Sequence, residues 1–397
     1  MIDDLARCEN ALRVAIEHGS WDTALKVKVR SMVGEELAAV VMATANLQHK
    51  ARAKLGDGIW WCTERSLSQA TPYQVADRKA RWLDSSSLFD MCCGLGSDTV
   101  AIARSRRRAE TTCVAVDRDP AMTAMTSENL RLNGAPACSA NSVVCDDVVD
   151  VQIPPASAIH IDPDRRDEAG RKTRPQDYSP TWEVVEQLIG RCDAAIVKLA
   201  PAAELDDHPQ RHRVWISLAG SVREQTLLTE TSIERASADL GEALAPAGRS
   251  GVAVRADGSA TVFTASVSTS AGVWCEKPLQ FMVDPDASIR AAGLTESFAD
   301  RRGLQMLGGP AGFLTGDGDV AGDLAICEPV IWSGACDDRK LRKTLRGMNS
   351  YPWRIKTRGV SQNPNVLQKR FRPCGERPVT LWIGKGSKRQ YAVITAR

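Results

Sequence analysis

No apolar run in this 397-residue chain approaches the length that spans a bilayer, and the opening Met1-Ile2-Asp3-Asp4 carries acids where a secretory signal needs bases. A membrane-spanning or exported protein is therefore not expected, and a cytoplasmic one is. Histidine is scarce, with five residues, and the twelve cysteines form no CxxC and only one close pair, Cys92-Cys93. Neither zinc spacing nor a disulfide framework is visible, so most thiols are expected to be small buried side chains. His208 and His212 stand four apart, but Pro209 interrupts the helix that would align them, and no metal site is expected. Internal repeats and low-complexity segments are also missing. What remains is a chain with 43% hydrophobic and 25% charged residues, the mix of a folded globular protein, too long for one core and expected to form two or three packed units.

Acid is almost absent from the C-terminal end. Between Arg339 and Arg397 there are sixteen Lys or Arg and one acid, Glu376, a net of +15 that leaves about −13 for residues 1–338 in a chain of net charge +2. A basic segment that also has the apolar spacing of a folded domain fits contact with phosphate backbones, while a solvated basic face is the plainer alternative.

Residues 1–80 read as a helical extension, because Ala, Leu, Val and Met recur at three- and four-residue spacing from Trp21 to Leu55. A second short helix is expected after Thr71-Pro72, with Thr71 as its cap. From Ser87 the pattern becomes short apolar runs alternating with helical stretches, the mark of a parallel sheet. The expected strands are Leu88–Met91, Thr112–Val116, Ser142–Cys145, Ala158–Ile161 and Ala194–Leu199. A late hairpin, Val252–Arg255 with Thr261–Ser266, turns at Asp257-Gly258. Residues 81–282 thus form an α/β core and 283–313 a Gly- and Pro-containing connection with short helices. Residues 314–397 form a small basic α/β module. Its expected elements are strand Ala325–Ile331, helix Asp337–Arg346, strand Trp353–Arg358, helix Asn363–Phe371 and strands Val379–Ile383 and Gln390–Thr395.

The run from Phe89 through Asp90, Cys92, Cys93, Gly94, Leu95 and Gly96 to Asp98 places an acid at a strand end, then a glycine turn, then a helix. Gly94 and Gly96 let the backbone turn sharply and approach a ligand, and the helix offers free N–H groups. A dinucleotide fingerprint would need a third glycine where Thr99 stands. A second strand ends in Asp117, about twenty residues on, where a carboxylate can hold ribose hydroxyls; capping the next helix is its structural alternative. The third ends in Asp146-Asp147, either of which can meet an adenine amino group. The fourth runs into Asp162-Pro163-Asp164-Arg165-Arg166 at the carboxyl edge, the acceptor side. Cys92 and Cys93 have no recognisable basic partner and are expected to pack around the ligand.

Over Arg81 to about Ala200 the chain resembles class I S-adenosylmethionine (SAM)-dependent methyltransferases, and Thr71-Pro72 before Phe89-Asp90 is similar to the trimethylguanosine synthases. The set of Gln69-Ala70-Thr71, Asp90 to Gly96, Asp162 to Arg166, Lys198 to Pro201, Ile355 to Val360 and Gly375 to Thr380 resembles bacterial methyltransferases with a THUMP-like C-terminal domain, over nearly the whole chain. The resemblance implies a Rossmann-like class I methyltransferase sheet, SAM as cofactor held by Asp90, Cys92, Gly94, Gly96, Asp98, Asp117, Asp146 and Asp147, and RNA as partner by analogy with THUMP domains. It places Asp162 and Arg165 at the acceptor. Amino-group methylases of bases usually have Asp, Asn or Ser, then Pro-Pro and an aromatic ring here; this chain has Asp162-Pro163-Asp164-Arg165, so Arg165 and Arg166 are candidates to stack on a base or to pair with a phosphate, with surface ion pairing the plainer alternative. The alternatives are a small-molecule or protein methyltransferase with a basic docking module, and a non-catalytic RNA-binding protein that keeps the fold.

Overall fold

The computed structural model describes residues 2–19, 22–105, 111–134, 141–167, 170–171, 173–266, 272–308, 312–387 and 389–396; Met1, Trp21, Arg397 and the Arg166 side chain fall outside it. The chain divides into two compact units, 1–248 with 254–260, and 249–253 with 261–397.

The first unit begins with helices α1 (Ile2–His18), α2 (Thr23–Val33) and α3 (Glu35–Leu55), followed by α4 (Glu64–Gln69) and α5 (Tyr73–Ala80). Their three- and four-residue apolar spacing buries Leu12, Leu25, Val29 and Val41 in one core with Trp60, Trp61, Leu95, Val100 and Met125. The helical extension is thereby packed onto the glycine turn. Asp22 caps α2 and Thr63 caps α4, the latter in a reciprocal pair with Ser66. Thr71 does not cap α5. Pro72 stands at that position without a side-chain cap, and the Thr71 hydroxyl is engaged by Lys198 Nζ at 3.0 Å instead.

Next come β1 (Ser87–Met91), α6 (Ser97–Ser105), β2 (Thr112–Asp117), α7 (Pro120–Asn133), β3 (Asn141–Cys145) and β4 (Ala158–Ile161). A two-stranded ribbon, β5 (Arg166–Asp167) and β6 (Gly170–Arg171), precedes α8 (Trp182–Ile189), β7 (Ala194–Leu199), β8 (Arg211–Leu218), β9 (Ser221–Thr229) and α9 (Thr231–Leu240). Within the first unit the sheet order is β3-β2-β1-β4-β7-β9-β8. Strands β1, β2, β3, β4 and β7 pair in parallel, and β9 runs antiparallel to both β7 and β8. This is a Rossmann-like α/β sheet, as the sequence led one to expect. Its antiparallel part includes a pair not expected from sequence, β8 and β9, which turns at Ala219 and Gly220, both at positive φ, while the expected late hairpin is present as the next two strands. Buried polar residues on these strands, including Ser217, Glu224, Gln225 and Thr226, break the apolar run that would have marked them.

Strands β10 (Arg249–Val254) and β11 (Ala260–Ala265) are neighbours, and their turn places Gly258 at φ +82°. The second unit continues with β12 (Trp274–Cys275), β13 (Phe281–Pro285), α10 (Ala287–Ala291), α11 (Thr295–Arg302), β14 (Gln305–Leu307) and β15 (Phe313–Gly316). The stretch 283–313, read from sequence as a connection with short helices, thus carries strands as well. Then follow β16 (Ala325–Ala335), α12 (Asp338–Gly347), β17 (Ser350–Arg358), α13 (Pro364–Phe371), β18 (Arg377–Lys385) and β19 (Gln390–Thr395). The eight strands lie in the order β12-β14-β15-β13-β16-β19-β18-β17. Long β16 pairs with β13 through its first half and β19 through its second, with a register shift between Val330 and Trp332. Leu341, Leu345, Leu367 and Phe371 bring α12 and α13 into one core with Leu381 and Ile394, and Phe313 meets Trp382 edge to face at 4.9 Å. Among the described residues no helix is long and apolar enough to cross a membrane.

Candidate functional site

In the first sheet the chain leaves β1 toward β2 and β3 on one side and reaches β4 and β7 on the other, so the strand order reverses at β1 and β4. In open parallel sheets a ligand crevice forms at the carboxyl ends of the strands at that reversal. A cleft of about 630 Å³ lies there, lined by residues from the ends of β1, β2 and β4, by Lys198 near the end of β7, and by the segment around α4.

The glycine turn is built on positive φ angles at Cys92 (59°), Gly94 (57°) and Gly96 (86°). The two glycines serve different ends. A Cβ on Gly94 would meet nothing within 4 Å, so this residue gives the cleft a bare backbone wall; a Cβ on Gly96 would lie 2.9 Å from Thr126 Cγ2, so this one allows α7 to pack close. Asn129 of α7 fixes the turn from behind, donating to Leu95 O at 2.8 Å and to Trp61 O at 2.9 Å while accepting from Trp61 N at 2.7 Å.

Cys92, Gly94, Asp117, Asp146, Asp147, Asp162 and Arg165 come together on the cleft wall, whereas Asp90, Gly96 and Asp98 are not among its lining residues. Asp117 accepts Gly94 N–H and Asp119 N–H, each at 2.9 Å, on separate oxygens. Burial pushes its carboxyl above the ordinary aspartate value against those two amides. Each oxygen keeps a lone pair for a hydroxyl. Asp146 and Asp147 are both exposed at the rim beyond β3. The Cys92 and Cys93 thiols are pushed well above the ordinary value, first by burial and then by nearby carboxylates, so neither is a thiolate nucleophile at neutral pH.

On the other side of the cleft, Asp162 Oδ2 receives Lys198 Nζ at 2.5 Å, and the same ammonium reaches Thr71 Oγ1. Lys198 is the site residue that residue-by-residue reading of the motifs missed. Its signal was a charge inside the otherwise apolar run Ala194-Ala195-Ile196-Val197, which must find a partner when the strand is buried.

Beneath the turn lies a buried polar cluster. Asp90 is fully buried and accepts from the Thr99 hydroxyl and from His160 Nδ1 at 2.8 Å. Lys79 Nζ stands 3.1 Å from His160 Nε2, 3.0 Å from Asp98 and 2.9 Å from Glu224. An ammonium can only donate, so His160 Nε2 accepts and its proton sits on Nδ1, facing Asp90. Burial alone would lower the Lys79 ammonium, but Asp98, Glu224 and Asp162 override it and raise it above the ordinary lysine value. Burial would raise Asp98; the Lys79 ammonium beside it, with Lys198 farther off and the Thr71 hydroxyl, overrides it downward. Asp98 therefore serves this cluster, with Thr71 also donating to it.

Among the described residues no group of three or more His, Cys, Asp or Glu is placed to hold a metal ion. No family model matches the chain. Two proteins of Mycobacterium tuberculosis, from strains CDC 1551 and H37Rv, are each 28% identical to it over 386 residues, covering 93% of this chain and 98% of their own; both are named uncharacterized S-adenosylmethionine-dependent methyltransferases. Among solved structures, a putative methyltransferase from Porphyromonas gingivalis W83 superposes with a TM-score of 0.73 at 16% identity, over 98% of this chain and 97% of that one.

Proposed function

We propose that this S-adenosylmethionine-dependent methyltransferase transfers its methyl group to RNA. The observation that carries the acceptor is the segregated basic charge of residues 339–397, where Arg339, Lys340, Lys343 and Arg346 of α12 and Lys369 and Arg370 of α13 are all exposed. The resemblance to THUMP-like modules supports the same reading.

The cleft fits the cofactor: a bare backbone at Gly94, a carboxylate at Asp117 with lone pairs to spare, and carboxylates at Asp146 and Asp147, one of which would meet the adenine amino group. When bound, the cofactor supplies an electrophilic methyl on a sulfonium, which needs no covalent enzyme intermediate. Asp162 faces the acceptor with its Oδ1, since Oδ2 is taken by Lys198. There it orients the acceptor's lone pair or accepts its proton.

Incubation with tritiated SAM and total RNA, protein and metabolite fractions tests the acceptor directly. Label in RNA is expected; label in protein or metabolites alone would favour a basic docking module instead. Asp117→Ala should weaken SAM binding, measured by calorimetry, by about 1.5–3 kcal/mol through loss of a charged acceptor. An unchanged affinity in the folded variant removes Asp117 from the cofactor site. RNA binding by the full chain should weaken linearly on a log–log plot against salt, with a slope of about −0.7 per single-strand phosphate neutralised. A flat dependence contradicts phosphate contact, and heparin and DNA competition separate RNA preference from plain polyanion binding.

A further inference from the structure

We propose that the acceptor side of the cleft carries a built anion site on Arg165, and that it holds a phosphate of the methyl acceptor. The RNA reading enters only as the source of that phosphate.

Charge within the cleft is divided. The cofactor side presents Asp117, Asp119, Asp146 and Asp147 against one cation, Arg118. On the acceptor side the carboxylates already have partners: Asp162 has Lys198, Glu224 has Lys79, and Asp164 has Gln69 at 3.4 Å and Arg65 at 3.8 Å. Arg165 lines the same wall, and its Nη1 is buried with no hydrogen-bond partner among the described residues. A guanidinium stays charged at every pH a protein meets, so a buried, unpaired donor on it is costly unless something in the cleft accepts from it.

The chemistry of the missing partner is constrained. Among the described residues no Phe, Tyr or Trp lines the cleft, so no ring offers a stacking platform for a flipped base. Arg165 could itself stack, but a base lying on the guanidinium face leaves Nη1–H, which points in the plane, still unsatisfied. An oxygen anion in that plane satisfies it, and phosphate geometry suits the two-pronged fork of arginine. Exposed Arg223 on the same lining adds a second positive charge without an ion pair among the described residues. The competing anion is the carboxylate of the cofactor's methionine moiety, which would place Arg165 on the cofactor side instead.

The test uses the full chain saturated with S-adenosylhomocysteine and titrated with the four nucleoside 5′-monophosphates and the four matching nucleosides. The wild type should bind the monophosphates at least about tenfold more tightly than the nucleosides. Arg165→Gln should erase that preference, Arg165→Lys should keep part of it, and cofactor-product affinity and thermal midpoint should be unchanged in both. Equal binding of nucleotide and nucleoside, no binding of either, or a preference that survives Arg165→Gln overturns the proposal. Loss of S-adenosylhomocysteine affinity in Arg165→Gln also overturns it, by assigning Arg165 to the cofactor's carboxylate. If the phosphate preference holds while RNA gains no label, the RNA reading fails and the anion site stands with another phosphorylated acceptor.

Discussion

Asp162→Asn is expected to retain SAM binding and to lose about 10²–10⁴ in turnover if its carboxylate accepts a proton, the usual span for general base catalysis. The variant keeps size and one acceptor oxygen, so a purely orienting role predicts a smaller loss. The geometry sharpens the comparison, because Asp162 Oδ2 is bound by Lys198 Nζ at 2.5 Å and only Oδ1 is open to an acceptor. In Asp162→Asn the amide nitrogen can turn toward the cleft and leave its oxygen on Lys198, presenting a donor where an acceptor was needed. Asp162→Ala should be severe under either role, since misplacing the acceptor forfeits the alignment that makes transfer effectively unimolecular. It also leaves the buried Lys198 ammonium with the Thr71 hydroxyl and no carboxylate partner, so its stability must be measured beside its rate. Loss of SAM binding in both folded variants would move Asp162 into the cofactor site. Near-wild-type turnover in Asp162→Ala would remove it from the reaction.

What could be read from the sequence was local. Strands β1, β2, β3, β4 and β7 are short apolar runs, each near its expected place, and the acids that follow three of them are adjacent in sequence to the strands that position them. The cleft residues Gly94, Asp117, Asp146, Asp147 and Asp162 were legible for that reason. Partners distant in sequence were not. Lys198 and Asp162 are 36 residues apart, Asn129 and Trp61 are 68 apart, and Lys79 and His160 are 81 apart. Nothing in composition or spacing pairs them, and each belongs to a segment whose own pattern is satisfied without it. Strands β8 and β9 escaped for a related reason. Glu224 sits mid-strand and looks like a solvent-facing residue, yet its side chain is 1% exposed because Lys79 of α5 comes to meet it. Thr71 was read as a cap because its neighbour is proline, a local cue; its hydroxyl is drawn instead to Lys198, a distant one.

Lys79→Met is expected to cost about 3–5 kcal/mol of stability, because it deletes one partner of a buried ion cluster and leaves the others in place. Lys79 is 1% exposed and holds Asp98, 8% exposed, and Glu224. Without the ammonium Asp98 keeps the Thr71 hydroxyl and the more distant Lys198 charge, Glu224 keeps the Thr226 hydroxyl, and the neighbouring His160 already gives its proton to Asp90, so no cation is left in direct contact with either carboxylate among the described residues. Adding Glu224→Gln to Lys79→Met should recover part of the loss, so the double variant should be less destabilised than the sum of the single ones. The pH dependence follows from the directions of the shifts. Asp98 is held below the ordinary carboxylate value, so its contribution is present above that value and fades as pH falls toward the depressed one. Lys79 is held above the ordinary lysine value, so its contribution is present below that value and is lost only as pH rises through the elevated one. The deficit of Lys79→Met relative to wild type should therefore be full at neutral pH and shrink in acid, where protonated carboxyls no longer need a cation. Denaturant titrations across the acid range measure it. A deficit that stays constant down to the acid limb would mean that Lys79 contributes through the packing of its methylene stem and not through its charge.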